Sequence, residues 1–214
     1  MINYKDIIQG TDEWHAIKWG KIGGTLSKGL LVKSDTLFLD LLSQQAEEFE
    51  LSDGFSTPDT ERGTELEPLA RAALEDKVGV RFNETGWLES TENTLLGLSP
   101  DGISEDETEA CEIKCFARKK HTSIIYKQMI PNENAPQLIH YFTVNEKLKN
   151  LHFFCYRPES LKHFYALITL DTLIDIGTEA KPVVKTVAEW VEISKNSASL
   201  LKIKLDEAIT SLSF

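Results

Sequence analysis

The residues whose types and spacing could do chemistry lie in the middle of the chain. They are Gly97-Leu98-Ser99-Pro100-Asp101-Gly102 and, eleven residues after Asp101, Glu112-Ile113-Lys114. Residues 111–116 read as a strand, and alternate side chains of a strand share a face. Glu112 and Lys114 then point one way, while Cys111, Ile113 and Cys115 point the other, into apolar packing. Ser104-Glu105-Asp106-Glu107 has the composition of a hairpin turn, so the strands on either side of it can bring Asp101 beside Glu112. Two carboxylates at one spot repel each other unless a hard cation lies between them, and Mg²⁺ prefers carboxylate and water oxygens. An ammonium at Lys114 beside that ion is placed to hold a water and help deprotonate it. The chemistry implied is metal-assisted attack on a phosphodiester.

The triplet Glu-x-Lys is weak by itself, since the chain contains it three times: Glu75/Lys77, Glu112/Lys114 and Glu179/Lys181. The first and third fall in helical or loop contexts, where positions i and i+2 do not face together. Only the second falls in an expected strand with a Pro-Asp-Gly turn upstream, and as a bare pattern it reads equally as a surface salt bridge on a hairpin. Two further residues bear on it. Glu67, in Gly63-Thr64-Glu65-Leu66-Glu67-Pro68-Leu69-Ala70-Arg71, lies on a helix just before the strands; alone it is ordinary helix surface. Gln137 opens the helix after the hairpin and is placed to reach a water or a phosphate; alone it is a polar residue at a helix start.

The elements that must position these groups follow from periodicity and punctuation. Thr11 caps a short helix through Lys18 that ends near Gly20, and Gly23-Gly24-Thr25 opens a second. Apolar spacing predicts helices over 35–48 and 60–77, the latter stopped by Gly79. Residues 80–88, 95–100 and 111–116 read as strands, followed by a helix over 135–144. Strands over 151–156 and 163–170 flank a turn at Pro158, and 182–212 reads as one long helix with a break near Ser197. This order predicts a mixed sheet covered by helices, an α/β or α+β fold. The length of 214 residues suits one domain, able to bury roughly 70% of its unfolded surface.

No run approaches the ~18 apolar residues of a membrane span, and Met1-Ile2-Asn3-Tyr4-Lys5-Asp6 lacks the profile of a secretory signal. Three cysteines, an odd number, fit a reducing cytosol. Cys111, Cys115 and His121 have a loosely zinc-like spacing but no evident fourth ligand, and no clustered cysteine set suggests an iron–sulfur centre. His140 and His152 read as locally bonded rather than as bases. The net charge of −11 argues against a protein that coats nucleic acid. Its distribution is uneven. Residues 14–33 hold Lys18, Lys21, Lys28 and Lys33 without an acid, and residues 113–130 hold Lys114, Arg118, Lys119, Lys120 and Lys127 without an acid, leaving the remainder at −20. Two basic islands in an acidic body suit a polyanion admitted at one place and repelled elsewhere; chance clustering on solvated faces gives the same pattern.

Four stretches in order carry a resemblance. They are Trp14-His15-Ala16-Ile17-Lys18-Trp19-Gly20-Lys21-Ile22-Gly23-Gly24-Thr25, then Gly63 to Arg71, then Ser99-Pro100-Asp101-Gly102 with Glu112-Ile113-Lys114-Cys115, and Gln137 onward to Tyr156-Arg157-Pro158. The set resembles the core of the PD-(D/E)xK nucleases, and its arrangement resembles the phage lambda exonuclease family and its YqaJ-type viral recombinase relatives. The resemblance implies a restriction-endonuclease-like fold in a single domain, with a mixed central sheet flanked by helices. Residues 1–60 would form a helical part that contacts the DNA end, 60–170 the nuclease core and 180–214 a C-terminal helix.

By the same resemblance Asp101 and Glu112 are metal ligands, with the Ile113 carbonyl completing the set. Lys114 orients or activates the water, Glu67 holds an outer water or a second metal, and Gln137 positions the nucleophile. The implied cofactor is Mg²⁺, two ions, with Mn²⁺ able to substitute. A 5′-phosphate pocket falls on Lys18, Thr25, Ser99 and Lys120, aided by helix-terminal amides near Thr25, with Trp14 and Arg118 as further DNA contacts. Family members often carry arginine where Lys18 and Lys120 stand, and lysine binds phosphate as a point charge rather than as a planar fork. The activity implied is 5′→3′ exonuclease action on double-stranded DNA ends, leaving a 3′ single-stranded tail for recombination. The implied partners are a single-strand annealing protein and further copies of the chain in a toroidal homotrimer, in the cytoplasm of a bacterium or phage-infected cell. The alternatives are a structure-specific or restriction-type endonuclease, or a non-catalytic DNA-binding module of the same fold.

Overall fold

The structure is a computed structural model that describes residues 1–51, 57–178 and 180–212. A short strand, β1 (Ile2–Tyr4), precedes α1 (Asp12–Lys18), where the Thr11 hydroxyl accepts from the Trp14 amide at 3.4 Å. Asp12 and Glu13 lie in its first turn and Lys18 in its last, each on the side the helix dipole favours. Gly23-Gly24-Thr25 does not open a helix as expected. Residues 24–27 form a turn in which the Ser27 hydroxyl donates back to the Gly24 carbonyl at 2.6 Å, and α2 (Lys28–Val32) begins only after it. Ser34 caps α3 (Asp35–Ala46). The next helix, α4 (Pro58–Val78), ends where Gly79 adopts φ +74° and returns its amide to the Glu75 carbonyl at 2.8 Å.

The single strand expected over 80–88 is split. Asn83 makes an isolated bridge to Ile103, and the chain then bends at Gly86, where a Cβ would stand 2.1 Å from the Ile7 carbonyl oxygen. Only β2 (Trp87–Glu89) is regular, and it pairs with β1 and with β3 (Gly97–Leu98) in a small antiparallel sheet. Next come β4 (Gly102–Ile103) and β5 (Glu109–Lys114), joined by the expected turn. There Asp106 Oδ1 accepts from the Ser104 hydroxyl at 2.7 Å and the Thr108 amide at 3.1 Å.

Two helices, α5 (Arg118–Lys127) and α6 (Ala135–Val144), carry the chain over to β6 (Asn150–Cys155), which runs parallel to β5. A parallel pair requires such a crossover. α5 was not expected, because its apolar signal is short: His121 and Ile124 are its buried residues. β7 (Phe164–Ile168) closes a mixed sheet of order β4-β5-β6-β7. A ribbon of β8 (Leu173–Asp175) and β9 (Val184–Thr186) replaces the first residues of the expected C-terminal helix. The helix itself, α7 (Val187–Leu212), runs unbroken past Ser197 from a capping box at Thr186. In that box the Thr186 amide donates to Glu189 Oε2 at 2.8 Å and the Glu189 amide to Thr186 Oγ1 at 3.2 Å.

Both faces of β5 are covered. One side carries Ala110, with Leu151 and Phe153 of β6, beneath Leu138, Ile139 and Tyr141 of α6 and Trp190 of α7. The other carries Cys111, Ile113 and Phe154 against Ala70 and Leu74 of α4 and Phe82. Each aromatic buried in this way contributes about 1.5–3 kcal/mol. The expected mixed sheet flanked by helices is therefore the fold found. Among the described residues no helix is long and apolar enough to cross a membrane.

Candidate active site

Two strands and two helices converge on the expected carboxylates. Asp101 leaves β3 through Ser99-Pro100, and its Oδ2 accepts from the Ile113 amide of β5 at 2.6 Å, which pins the acid to that strand. A residue's N–H and C=O leave an extended strand along the same edge, so the Ile113 carbonyl lies on the Asp101 side as well. Glu112, the next residue back, is fully buried under α6. The Tyr141 hydroxyl lies 2.6 Å from its Oε2 and 3.0 Å from the Cys111 carbonyl. Lys114 Nζ stands 2.5 Å from Glu112 Oε1 and forms an ion pair with that buried oxygen. Glu67, on α4, faces the same place and is flanked by Arg71, whose Nη2 lies 3.6 Å from Glu67 Oε1 and 2.5 Å from Glu84 Oε1.

These groups feel one another. Burial, then Glu112, raises Asp101 well above the usual carboxylate range. Burial also raises Glu67; Arg71 opposes the shift and the fields of Glu84 and Glu112 add to it. Burial acts to lower Lys114, but Glu112, Asp101 and Glu67 outweigh it, and the group is held as an ammonium. Negative charge thus exceeds the positive charge that compensates it, which is the electrostatic condition a divalent cation relieves. The donors are hard oxygens: the Asp101 carboxylate, the Glu112 carboxylate and a peptide carbonyl. They fit Mg²⁺. Among the described residues no three of His, Cys, Asp and Glu converge on one point, so the fit rests on two carboxylates and the Ile113 carbonyl.

Three contiguous cavities surround this cluster. Glu67, Asp101, Ile113, Lys114, Phe116 and Lys120 line one of about 460 Å³. A second, of about 560 Å³, shares Thr64, Glu67 and Asp101 with it and continues to Arg71, Gln9 and Trp14. A third, of about 370 Å³, shares Gln9 and Trp14 with the second and is lined by Lys18, Lys21, Gly24, Thr25, Ser99 and Gln137. Ser99-Pro100-Asp101 is the backbone link between the third cavity and the first, and Gln9 Nε2 donates to the Pro100 carbonyl at 3.1 Å.

The expected site residues thus divide between the two ends of a trough. Glu67, Asp101, Lys114, Ile113 and Lys120 border the carboxylate cavity, with Glu112 behind them. Trp14, Lys18, Thr25 and Ser99 border the far cavity. Gln137 borders that cavity too and not the carboxylate one, packed so closely on Gly24 that a Cβ there would meet its Cγ at 2.9 Å. Lys120 is separated from Lys18: it pairs with Glu133 at 2.7 Å and sits over the Phe116 ring. Arg118 is exposed at the first turn of α5 and lines none of the three. Thr25 lies in the turn before α2 rather than at the start of a helix.

Lys18 Nζ lies 3.2 Å from the centroid of the Trp14 ring. The indole Nε1 donates to Ser99 Oγ at 2.8 Å and to the Gly86 carbonyl at 3.0 Å, and Ser99 Oγ donates to that carbonyl at 2.8 Å. Burial lowers the Lys18 ammonium to about 8. His140 Nε2, 3.1 Å from the Ile22 carbonyl and 2.9 Å from the Gly97 carbonyl, ties the two segments that lead into this cavity to α6. Residue type and spacing do not single out Tyr141, Arg71 or Gln9. The one signal for Tyr141 was its place one turn after Gln137 on a helix crossing β5.

A family model described as the YqaJ-like viral recombinase domain matches residues 13–147. The chain belongs to this family. The matched span holds both ends of the trough, from Trp14 to Gln137 and Tyr141; β6, β7 and α7 follow it. The fold of this YqaJ-like chain is similar to that of LHK-Exo, an alkaline exonuclease from Laribacter hongkongensis, at 23% identity and TM-score 0.72, covering 94% of this chain and 96% of that one. The structure of LHK-Exo in complex with dAMP matches over the same shares at 22% identity and TM-score 0.76. A phage-related exonuclease from Haemophilus somnus 129PT matches at 11% identity and TM-score 0.53, over 90% of this chain and 96% of that one. No curated protein matches.

Proposed function

We propose that this YqaJ-like domain is a Mg²⁺-dependent exonuclease that removes nucleotides in the 5′→3′ direction from double-stranded DNA ends. The observation that carries the reading is the Asp101, Glu112 and Lys114 cluster with Glu67 at one end of a trough whose other end holds Lys18. A fold shared with an exonuclease crystallised with a nucleoside monophosphate supports it.

Asp101, Glu112 and the Ile113 carbonyl would hold Mg²⁺, which supplies positive charge to a phosphoryl oxygen and a more acidic water. Tyr141 fixes one oxygen of Glu112 and leaves the other toward Lys114. Lys114, kept as an ammonium by its acidic neighbours, donates to the attacking water and to charge developing on the phosphoryl group. Arg71 holds Glu67 at the cavity wall. At the other end Lys18, backed by Trp14, takes the terminal 5′-phosphate, which sets the polarity of digestion. The reading extends to a ring of three subunits and a single-strand annealing partner for the 3′ tail; light scattering and co-purification test these two extensions.

The decisive assay digests end-labelled linear duplex, with 5′-phosphate or 5′-hydroxyl ends, in Mg²⁺ or in EDTA. Mononucleotides released from phosphorylated 5′ ends, and nothing released in EDTA, are expected. Cutting of a covalently closed circle overturns end dependence in favour of an endonuclease. Duplex binding without any cleavage leaves a non-catalytic module.

A further inference from the structure

Helix α5 leaves the wall of the carboxylate cavity and carries four permanent cations, Arg118, Lys119, Lys120 and Lys127, with no acid between them, in a chain of net charge −11. His121 and Ile124 bury one side. The opposite side presents Lys119, Thr122, Ser123 and Tyr126, spaced as neighbours on one helical face. Tyr126 is 88% exposed, and among the described residues neither Arg118 nor Lys119 has a carboxylate within ion-pair distance. Lys120 joins this face to the cavity, since it lines the cavity and caps the Phe116 ring at 4.0 Å. Tyr126 lies six residues farther on, about 9 Å along the axis.

Aromatic rings set among cations bind single strands: the ring stacks on an unpaired base and the ammoniums follow the phosphates. Away from its ends, duplex DNA keeps its base faces stacked on one another and offers an exposed tyrosine no equivalent surface. We propose that the outer face of α5 is a stacking platform for single-stranded DNA at the mouth of the carboxylate cavity, with Tyr126 holding a base and Arg118 and Lys119 the backbone. The nuclease reading supplies the source of that strand, but the platform is tested without turnover.

The experiment measures fluorescence anisotropy of the full chain, in EDTA, with labelled oligodeoxythymidine and separately with a labelled covalently closed duplex circle, which has no open base face. Tyr126→Ala is expected to weaken oligothymidine binding at least about five-fold, with less than a two-fold change on the duplex. Tyr126→Phe, which keeps the π-face, is expected to bind as the parent does. Lys119→Ala is expected to reduce the salt dependence of single-strand binding by roughly one phosphate contact. Unchanged oligothymidine affinity in Tyr126→Ala overturns the platform, and so does an equal loss on both ligands. Because Tyr126 is almost wholly exposed, its truncation leaves the core intact. Absence of nuclease activity in the parent, with the Tyr126→Ala binding defect present, removes the nuclease reading alone.

Discussion

The Tyr141 hydroxyl, reaching down from α6, meets Glu112 Oε2 at 2.6 Å inside the core of the sheet. A carboxylate with no exposed surface is costly unless its oxygens are satisfied. The tyrosine satisfies one oxygen and thereby directs the other toward Lys114 and the cavity. Removing the hydroxyl by Tyr141→Phe is expected to cost about 1–3 kcal/mol of stability and to raise the Mg²⁺ concentration needed for half-maximal cleavage by about 10–100-fold. A thermal melt and a Mg²⁺ titration of nucleotide release check the two effects. An unchanged Mg²⁺ requirement separates Tyr141 from the metal.

Lys114→Ala is expected to lower turnover by about 10²–10⁴-fold with duplex binding largely kept, and, because it strips buried Glu112 of its ammonium, to cost about 3–5 kcal/mol of stability. Single-turnover digestion of end-labelled duplex, with anisotropy as the binding control, measures this. Unchanged digestion removes Lys114 from the mechanism.

If Lys18 takes the 5′-phosphate as proposed, end selection is expected to depend on pH, since burial lowers its ammonium to about 8. Below that value the group is charged and attracts a 5′-phosphate; above it the charge is lost. In kcat/KM, the preference for 5′-phosphorylated over 5′-hydroxyl ends is therefore expected to fall as pH rises through about 8. Lys18→Ala is expected to be low and flat, and Lys18→Arg to carry the preference to higher pH, since guanidinium stays charged. Lys120→Ala, at the other cavity, is expected to slow both ends alike. A pH-independent ratio in the parent chain sinks the role of Lys18.

Gly97 is a packing constraint behind the far cavity. A Cβ there would stand 2.0 Å from the ring of Trp87, which is 1% exposed, and the Gly97 carbonyl also faces His140. Gly97→Ala is expected to destabilise by about 1–3 kcal/mol, or about 2–4 °C in Tm for each kcal/mol in a chain of this size. Gly24→Ala displaces only the flexible Gln137 side chain and is expected to melt near the parent while losing activity. Calorimetry of the pair tests this contrast.

Much of this was legible because the signals were local. The Thr11 cap, the 104–107 turn with its Asp106 hydrogen bonds, and α6 starting at Ala135 are each written in a few adjacent residues. The capping box Thr186-Val187-Ala188-Glu189 was equally local and marks the start of α7, which apolar spacing alone set five residues early. Other features depend on distant partners. The Glu112 side of β5 is buried only because α6 crosses it, so alternation of types along the strand could not reveal the contact with Tyr141. α5 hides because charge fills most of its turns. The placing of Lys18 and Gln137 on one cavity and Lys114 on another is set by tertiary packing, which residue type does not encode.

Pro100 lies between the residue that borders the far cavity and the acid that borders the near one. Its ring removes a soft backbone torsion, and Gln9 clasps its carbonyl, so Ser99 and Asp101 are held at a set separation. Under the proposed reading the trough would serve as a gauge: a strand whose end is seated at one stop would present the same bond to the carboxylates at every cycle.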